Sequence, residues 1–372
     1  MVHGFRGAMD KKLIYLYLWY ATTTSESPGS AIPLRLNVLE MQFYMMDAQQ
    51  FFSLRPPDYK GFQKLALDVF HFQYAQNLVY REFCDNLDRS PGRVSHLDEI
   101  PFLPIDLFKN RRVASFGGEA AKVFHSSGTT GSMTSKHHVA DLAVYERSFL
   151  DGFRLFYGGP DNYCILALLP GYLERQDSSL VYMANRLIEE SGHPRSGFYL
   201  DELDRLADVL KGLEAEGQRV LLLGVSFALL DFAECHPMPL QNSIVMETGG
   251  MKGRRREMVR EELHGILCRA FDIKSIHSEY GMTELLSQAW SKGEGRFECP
   301  PWMRVLTRDS NDPLSFTGAG QGGGINVIDL ANIYSCSFIA TQDLGRVFPD
   351  GSFEVLGRFD QSDVRGCNLM AG

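Results

Sequence analysis

Between residues 141 and 280 the chain alternates continuous apolar runs with stretches of helical periodicity. No other feature of the sequence limits the fold as much. Tyr163 to Leu169, Arg219 to Gly224, Ile244 to Glu247 and Ile273 to His277 read as strands too apolar to leave a face in water. Helical stretches separate and flank them: Asp141 to Tyr157, Ser178 to Glu190, Leu203 to Glu214, Ser226 to Glu234 and Gly253 to Phe271. Asp141 is placed to cap the first, and Gly192 to close the second. The alternation predicts an α/β fold, a parallel sheet covered by helices on both faces. Ligands of such sheets gather at the loops beyond the strands' carboxyl ends.

The flanks read differently. Tyr59 to Leu87 is helical, with Phe62, Leu65, Val69, Phe70, Tyr74, Leu78 and Phe83 at core spacing. After residue 290 the strands shorten: Val327 to Leu330, Ser335 to Ala340 and Ser352 to Leu356 predict a β-rich subdomain. Residues 1–55 lack a pattern. There Lys11-Lys12 precede the apolar run Leu13 to Ala21, which has the outline of a weak leader but no A-x-A site after it. The run is also shorter than the roughly 20 apolar residues that cross a bilayer, so no stable membrane insertion is expected. The division expected is an N-terminal extension (1–55), a main domain (56–360) and a C-terminal tail (361–372).

A net charge of −9 argues against a nucleic-acid partner. Seven scattered cysteines, an odd number with no C-x-x-C pair, suggest neither a disulfide framework nor a zinc site. They fit a reducing, cytoplasmic setting.

The stretch Phe124 to Lys136 carries the strongest chemical signal. Its eleven residues after His125 hold seven hydroxyl side chains and two glycines. Glycines let backbone N–H groups converge into an anion-binding nest. Hydroxyls add donors, and Lys136 adds charge at the exit. The spacing is not the G-x-x-x-x-G-K-[ST] of a Walker loop. Downstream, His277 to Glu284 closes a strand with a polar turn, placing Tyr280, Thr283 and Glu284 at the ligand edge. A Tyr ring stacks on a purine, a Thr hydroxyl donates to an α-phosphate or acyl oxygen, and a carboxylate holds Mg²⁺. Thr248-Gly249-Gly250 lets a flat base approach the backbone. Asp343, after a strand, is placed to accept ribose hydroxyls, and Arg358 reaches ribose or phosphate.

Three patterns are weaker. Gly318-Ala319-Gly320-Gln321-Gly322-Gly323 matches G-x-G-x-x-G, but a strand follows where a dinucleotide site needs a helix. Gly224-Val225-Ser226-Phe227-Ala228 resembles a serine-hydrolase elbow with its second glycine replaced. His137-His138 is adjacent, not at the i,i+4 spacing of a helical zinc pair.

The ordered set S-S-G-T-T-G, T-G-G, Y-G-M-T-E, T-x-D-L-G and G-R-x-D resembles the core motifs of the acyl-adenylate-forming superfamily, over residues 124–360. Longer runs resemble one branch, the LuxE-type acyl-protein synthetases: Met246 to Gly253, His277 to Glu284, Cys299-Pro300-Pro301-Trp302-Met303 and Arg365-Gly366-Cys367. The resemblance implies the superfamily's large-domain fold, layered parallel sheets with helices plus a β-rich part. It implies ATP and Mg²⁺, and adenylation of a carboxylic acid, long-chain fatty in this branch. Ser126, Ser127, Gly128, Thr129, Thr130, Gly131 and Ser132 would hold phosphates. Tyr280 and Gly281, with Gly249 and Gly250, would face adenine. Glu284 would bind Mg²⁺, and Asp343 with Arg358 the ribose.

Most superfamily members continue past G-R-x-D into a small domain with a catalytic lysine, and this sequence stops at Gly372. That domain is therefore expected to be lacking, as in LuxE-type chains, with Lys136 or a partner supplying charge. The resemblance makes Cys367 the acyl acceptor, and Arg365 beside it favours the thiolate. An acyl-reductase or acyl-transferase partner is implied; chain length of the acid and oligomeric state stay open. Three other readings remain: a coenzyme A ligase, a serine acyl hydrolase using Ser226, and a non-catalytic interaction subunit.

Overall fold

The computed structural model describes residues 46–55, 58–126, 133–170, 177–200, 202–249 and 258–359. The chain divides into two units, 1–44 and 45–372, and all described residues lie in the second. A short 3-10 turn, Ala48–Ser53, buries Phe51 and Phe52. The helical stretch near residue 60 forms two helices, α1 (Tyr59–Gln76) and α2 (Leu78–Asn86). They part at Asn77, whose side chain accepts from the Tyr80 N–H at 3.0 Å and donates to the Ser335 carbonyl at 2.9 Å. A side chain bonded this way competes with the helix backbone, so one expected helix becomes two. Strand β1 (Leu103–Pro104) and the single turn α3 (Leu107–Asn110) follow. Next, β2 (Lys122–His125) and β3 (Lys136–Val139) form an antiparallel hairpin, a sheet of its own.

The α/β part begins with α4 (Leu142–Tyr157), capped by Asp141 through the Ala143 N–H at 2.9 Å. Strand β4 (Cys164–Leu168), helix α5 (Ser179–Ser191), β5 (Gly197–Phe198), α6 (Leu203–Ala215), β6 (Val220–Val225), α7 (Ser226–Cys235), β7 (Ser243–Thr248), α8 (Arg260–Phe271) and β8 (His277–Tyr280) follow in turn. Ser178 caps α5, and Gly192 ends it in the left-handed region, as expected. Strands β4 and β6 are buried at every residue, the pattern of a sheet covered on both faces. Pairing from β5 through β4, β6 and β7 to β8 is parallel throughout.

One strand lies later than the sequence reading placed it. The pattern pointed to Ile273 to His277, whereas β8 is His277–Tyr280. Helix α8 ends with Asp272 in the left-handed region, and the Ile273 N–H donates to the Cys268 carbonyl at 3.2 Å. Residues 273–276, with the apolar Ile273 and Ile276, are thus used in turning out of the helix, and His277 to Tyr280 form the strand.

Past β8 the chain folds into β9 (Ala289–Ser291), β10 (Arg296–Glu298), β11 (Met303–Arg308), β12 (Gly322–Asp329), β13 (Phe338–Val347) and β14 (Phe353–Arg358). These do not make a separate sheet. β9 pairs antiparallel with β8, and one twelve-stranded sheet runs β11, β12, β13, β14, β10, β9, β8, β7, β6, β4, β5, with β1 beside β13. The expected β-rich subdomain is the antiparallel half of a sheet whose other half is parallel. β13 also runs on through Asp343 to Val347, and β14 reaches Arg358. Gly345 makes that possible: a Cβ there would stand 2.5 Å from the Glu354 carbonyl oxygen, at the bulge where β13 meets β14. Among the described residues no helix is long and apolar enough to cross a membrane.

Candidate functional site

The hydroxyl-rich loop joins β2 to β3. At its neck the Ser126 N–H donates to the Ser135 carbonyl at 3.1 Å, and the Ser135 N–H donates to the Ser126 hydroxyl at 2.9 Å. Ser127, Gly128, Thr129, Thr130, Gly131 and Ser132 lie outside the described residues, as do Gly250 and Cys367. Lys136 opens β3 and is exposed. Side chains alternate along a strand, so Lys136 shares its face with His138 and points away from the buried face of His137 and Val139.

His137 ties this hairpin to the turn after β8. Its ring is fully buried. Nδ1 lies 2.8 Å from the Thr283 carbonyl oxygen and Nε2 3.0 Å from Asn332 Oδ1. Asn332 Nδ2 donates to the carbonyls of Glu284, at 2.8 Å, and Cys336, at 2.9 Å, which fixes its oxygen toward the ring. Burial pushes the His137 pKa down to about 4, against the pull of the two oxygens it faces. The sequence offered His137 only as half of a poor zinc pair. Its role comes from partners 146 and 195 residues away.

Glu284 follows Thr283 in that turn and is 5% exposed. Burial raises its pKa, while a hydrogen bond from the Ser135 hydroxyl and the charges of Arg358 and Lys109 lower it. The neck of the hydroxyl-rich loop thus lies near the expected metal ligand. No group of three His, Cys, Asp or Glu side chains able to hold a metal occurs among the described residues. A buried carboxylate with no ion-pair partner among the described residues, beside a loop of anion-binding composition, fits Mg²⁺, which keeps few protein ligands and takes the rest from phosphates and water.

Tyr280, Asp343 and Arg358 come together as one cluster. The Tyr280 hydroxyl donates to Asp343 Oδ2 at 2.9 Å, and Arg358 Nε donates to Oδ1 at 2.9 Å. Asp343 and Arg358 face each other across β13 and β14. Asp343 is buried, whereas the Arg358 side chain is 76% exposed. The Tyr280 ring packs edge-on against Phe353, 5.3 Å between centroids, and tilted against Phe297 at 5.8 Å. Burial first, then the Asp343 charge, raises the Tyr280 pKa well above its ordinary value, so it stays a neutral donor. Gly281 leaves the strand where a Cβ would come within 2.3 Å of Glu279 Oε1.

Beyond the end of β7, Gly249 takes a φ of +67°. Here sit two carboxyls that the sequence reading passed over. Glu247 is buried, 3.2 Å from Arg260 Nε and 3.5 Å from His264 Nε2. Burial opposes its charge, but these two partners prevail and its pKa is lowered. Glu279, on β8, accepts from the Thr248 hydroxyl; burial pushes its pKa up to about 7, and the Glu247 charge adds to the shift. Ser226 donates toward Glu247 Oε2 at 3.2 Å and the Gly249 carbonyl at 3.0 Å. A carboxylate, not an imidazole, touches this serine, so the base a hydrolase needs is not in place.

Comparison with known proteins matches this architecture. No family model matches the chain. Curated relatives are the long-chain-fatty-acid–luciferin-component ligases of Vibrio harveyi, 23% identical over 82% of this chain and 86% of the relative, and of Aliivibrio fischeri, 23% identical over the same shares. Among solved structures, a 2-hydroxyisobutyryl-CoA ligase in a postadenylation state superimposes with a TM-score of 0.57, at 11% identity, over 93% of this chain and 78% of that one. An ATP-bound RpMatB-BxBclM chimera gives a TM-score of 0.50 at 15% identity over 65% of this chain. The chain spans about half the length of that chimera, 49%.

The fold is that of the acyl-adenylate-forming enzymes, with the antiparallel half of the sheet bringing Asp343 and Arg358 to the end of a parallel strand. Within that class the chain is a homologue of the LuxE-type long-chain-fatty-acid ligases.

Proposed function

We propose that the protein joins a carboxylic acid, long-chain and fatty, to ATP as an acyl-adenylate and then passes the acyl group to a cysteine thiol. The observation that carries this reading is the Tyr280–Asp343–Arg358 cluster at the end of β8, with the turn bearing Thr283 and Glu284 leaving the same strand and held through His137 to the hairpin of the hydroxyl-rich loop. A nucleotide spans those two groups: ribose hydroxyls at Asp343, phosphates at the loop.

In the first step a carboxylate oxygen attacks the α-phosphorus and the bond to pyrophosphate breaks. Loop donors from Ser126 to Ser132 and the Thr283 hydroxyl act on charge building at the phosphate oxygens. Gly249, Gly250 and Gly281 border the base. Bound at Glu284, Mg²⁺ supplies charge neutralisation to the phosphates. Lys136 stands at the loop's exit on the outer face of β3. In the second step the Cys367 thiolate attacks the acyl carbon and AMP leaves, an intramolecular capture. The thioester then goes to a reductase or transferase partner. Consumption of ATP suits the cytoplasm.

Carboxylate-dependent exchange of pyrophosphate into ATP, over acids of increasing chain length, tests the first step. Exchange with long-chain acids is expected, and its absence with every acid would leave a non-catalytic subunit as the better reading. Cys367→Ser tests the second step: exchange should persist while acyl-protein disappears. Full turnover with coenzyme A in that variant would favour a coenzyme A ligase.

A further inference from the structure

Lys109 lies outside every motif that the sequence resemblance supplied, yet three contacts bring it to the site. β1 runs parallel to β13 with Pro104 opposite Ala340, and the Ile105 N–H donates to the Ala340 carbonyl at 3.0 Å. The turn α3 therefore begins beside the part of β13 that carries Asp343. Asp106 accepts from Gln342 Nε2 at 2.5 Å, and Gln342 is the neighbour of Asp343. On the other side, the buried Phe108 ring meets the His137 ring edge-on at 5.9 Å. Since His137 holds the Thr283 carbonyl, α3 is wedged between the ribose cluster and the Thr283–Glu284 turn.

Lys109 is the cation that this wedge presents. Its Nζ lies 2.6 Å from Asp106 Oδ1, and the two side chains are 36% and 48% exposed. Such an exposed pair contributes little stability, so a more highly charged anion can draw the ammonium away. Two cations act on Glu284, Arg358 and Lys109. Arg358 is already engaged with Asp343, whereas Lys109 is held only by an open surface pair. Lys136 faces the opposite side of β3.

We infer that Lys109 binds the polyphosphate of ATP and stabilises pyrophosphate as it leaves the α-phosphorus. The inference rests on the adenylation reading and adds a residue to it. Lys109 stays protonated throughout. The bond broken is that between the α-phosphorus and the bridging oxygen, whose electron pair departs with pyrophosphate toward the ammonium.

The test uses Lys109→Ala, Lys109→Arg and Asp106→Asn in the full chain, with equilibrium binding of ATP and of adenosine beside pyrophosphate exchange. Lys109→Ala should weaken ATP roughly 10-fold, as loss of one charge-assisted contact does, and slow exchange on the order of 100-fold. Adenosine, lacking phosphates, should bind as to wild type. Arginine should restore part of the loss. Asp106→Asn releases the lysine without removing it and should leave ATP affinity intact or tighter. Unchanged ATP affinity in Lys109→Ala overturns the inference. So does equal weakening of ATP and adenosine, or a loss in Asp106→Asn as large as in Lys109→Ala, either of which marks a structural pair. Wild type that binds ATP but exchanges no pyrophosphate with any acid refutes adenylation instead, and the binding comparison still decides the role of Lys109.

Discussion

Glu279 and Glu247 occupy adjacent parallel strands, and the site tolerates one charge between them. Glu247 keeps it, because Arg260 and His264 lie beside it; Glu279 is left to hold its proton toward neutral pH. The sign of the consequence follows from linkage. Between the ordinary carboxyl value and about 7 the folded chain holds a proton that the unfolded chain has lost. Stability from this group is therefore full in acid and falls as pH rises through about 7, by roughly 3 kcal/mol at most for a shift of this size. Glu279→Gln keeps the shape and removes the titration. Its melting temperature should match wild type near pH 4.5 and exceed it at pH 8. Parallel melting curves across that range would refute the assignment. At this scale the sequence told residue types but not states. Tyr280, Asp343 and Arg358 were legible as separate motif members. Their mutual hydrogen bonds, and the pairing of Glu247 with Glu279, depend on which strands become neighbours.

Elements were legible where local chemistry sets them. Asp141, Ser178 and Gly192 mark helix ends through contacts within a few residues, and α4 and α5 appear where those signals place them. β8 was misplaced because its own residues, His277-Ser278-Glu279-Tyr280, are polar for the sake of the site. Strand β13 looked short because Asp343 and Gly345 read as a turn, although a glycine there serves close packing against β14. The hairpin β2–β3 depends on one such long-range anchor, His137. His137→Leu would remove the single N–H of the neutral ring, leaving either the Thr283 carbonyl or Asn332 Oδ1 without its donor, at a cost of about 1–3 kcal/mol. The turn bearing Glu284 should loosen with it. The expected result is a lower melting temperature together with a several-fold higher KM for ATP in pyrophosphate exchange. A variant that loses stability with KM unchanged would show the anchor to be structural alone.

Among the described residues the twelve-stranded sheet follows two pairing rules, and the candidate site sits at their seam. Glu284 lies in the connection from β8, the last parallel strand, to β9, the first antiparallel one, while Asp343 and Arg358 belong to the antiparallel half. On the proposed reading a nucleotide bridges both halves, which calls for a rigid connection. Asp329 supplies that rigidity. Fully buried at the end of β12, it accepts from the N–H groups of Leu286 and Ser287, at 2.8 and 2.9 Å, and from the Ser287 hydroxyl at 2.6 Å. Trp302 adds to the same knot, its indole N–H lying 3.1 Å from both the Ser287 and Ser148 hydroxyls. This accounts for a tryptophan in the Cys299 to Met303 run, which sequence alone left without a task. Asp329→Ala would strand three donors in a dry interior, a loss of about 3 kcal/mol or more. Urea unfolding followed by tryptophan fluorescence should then show an earlier midpoint, with a shifted native emission because the surroundings of Trp302 change. Pyrophosphate exchange should fall in parallel, since Glu284 and Asp343 no longer keep a fixed separation. Full exchange activity in a destabilised Asp329→Ala would mean that the two halves hold their places without the seam, and that the nucleotide itself draws them together.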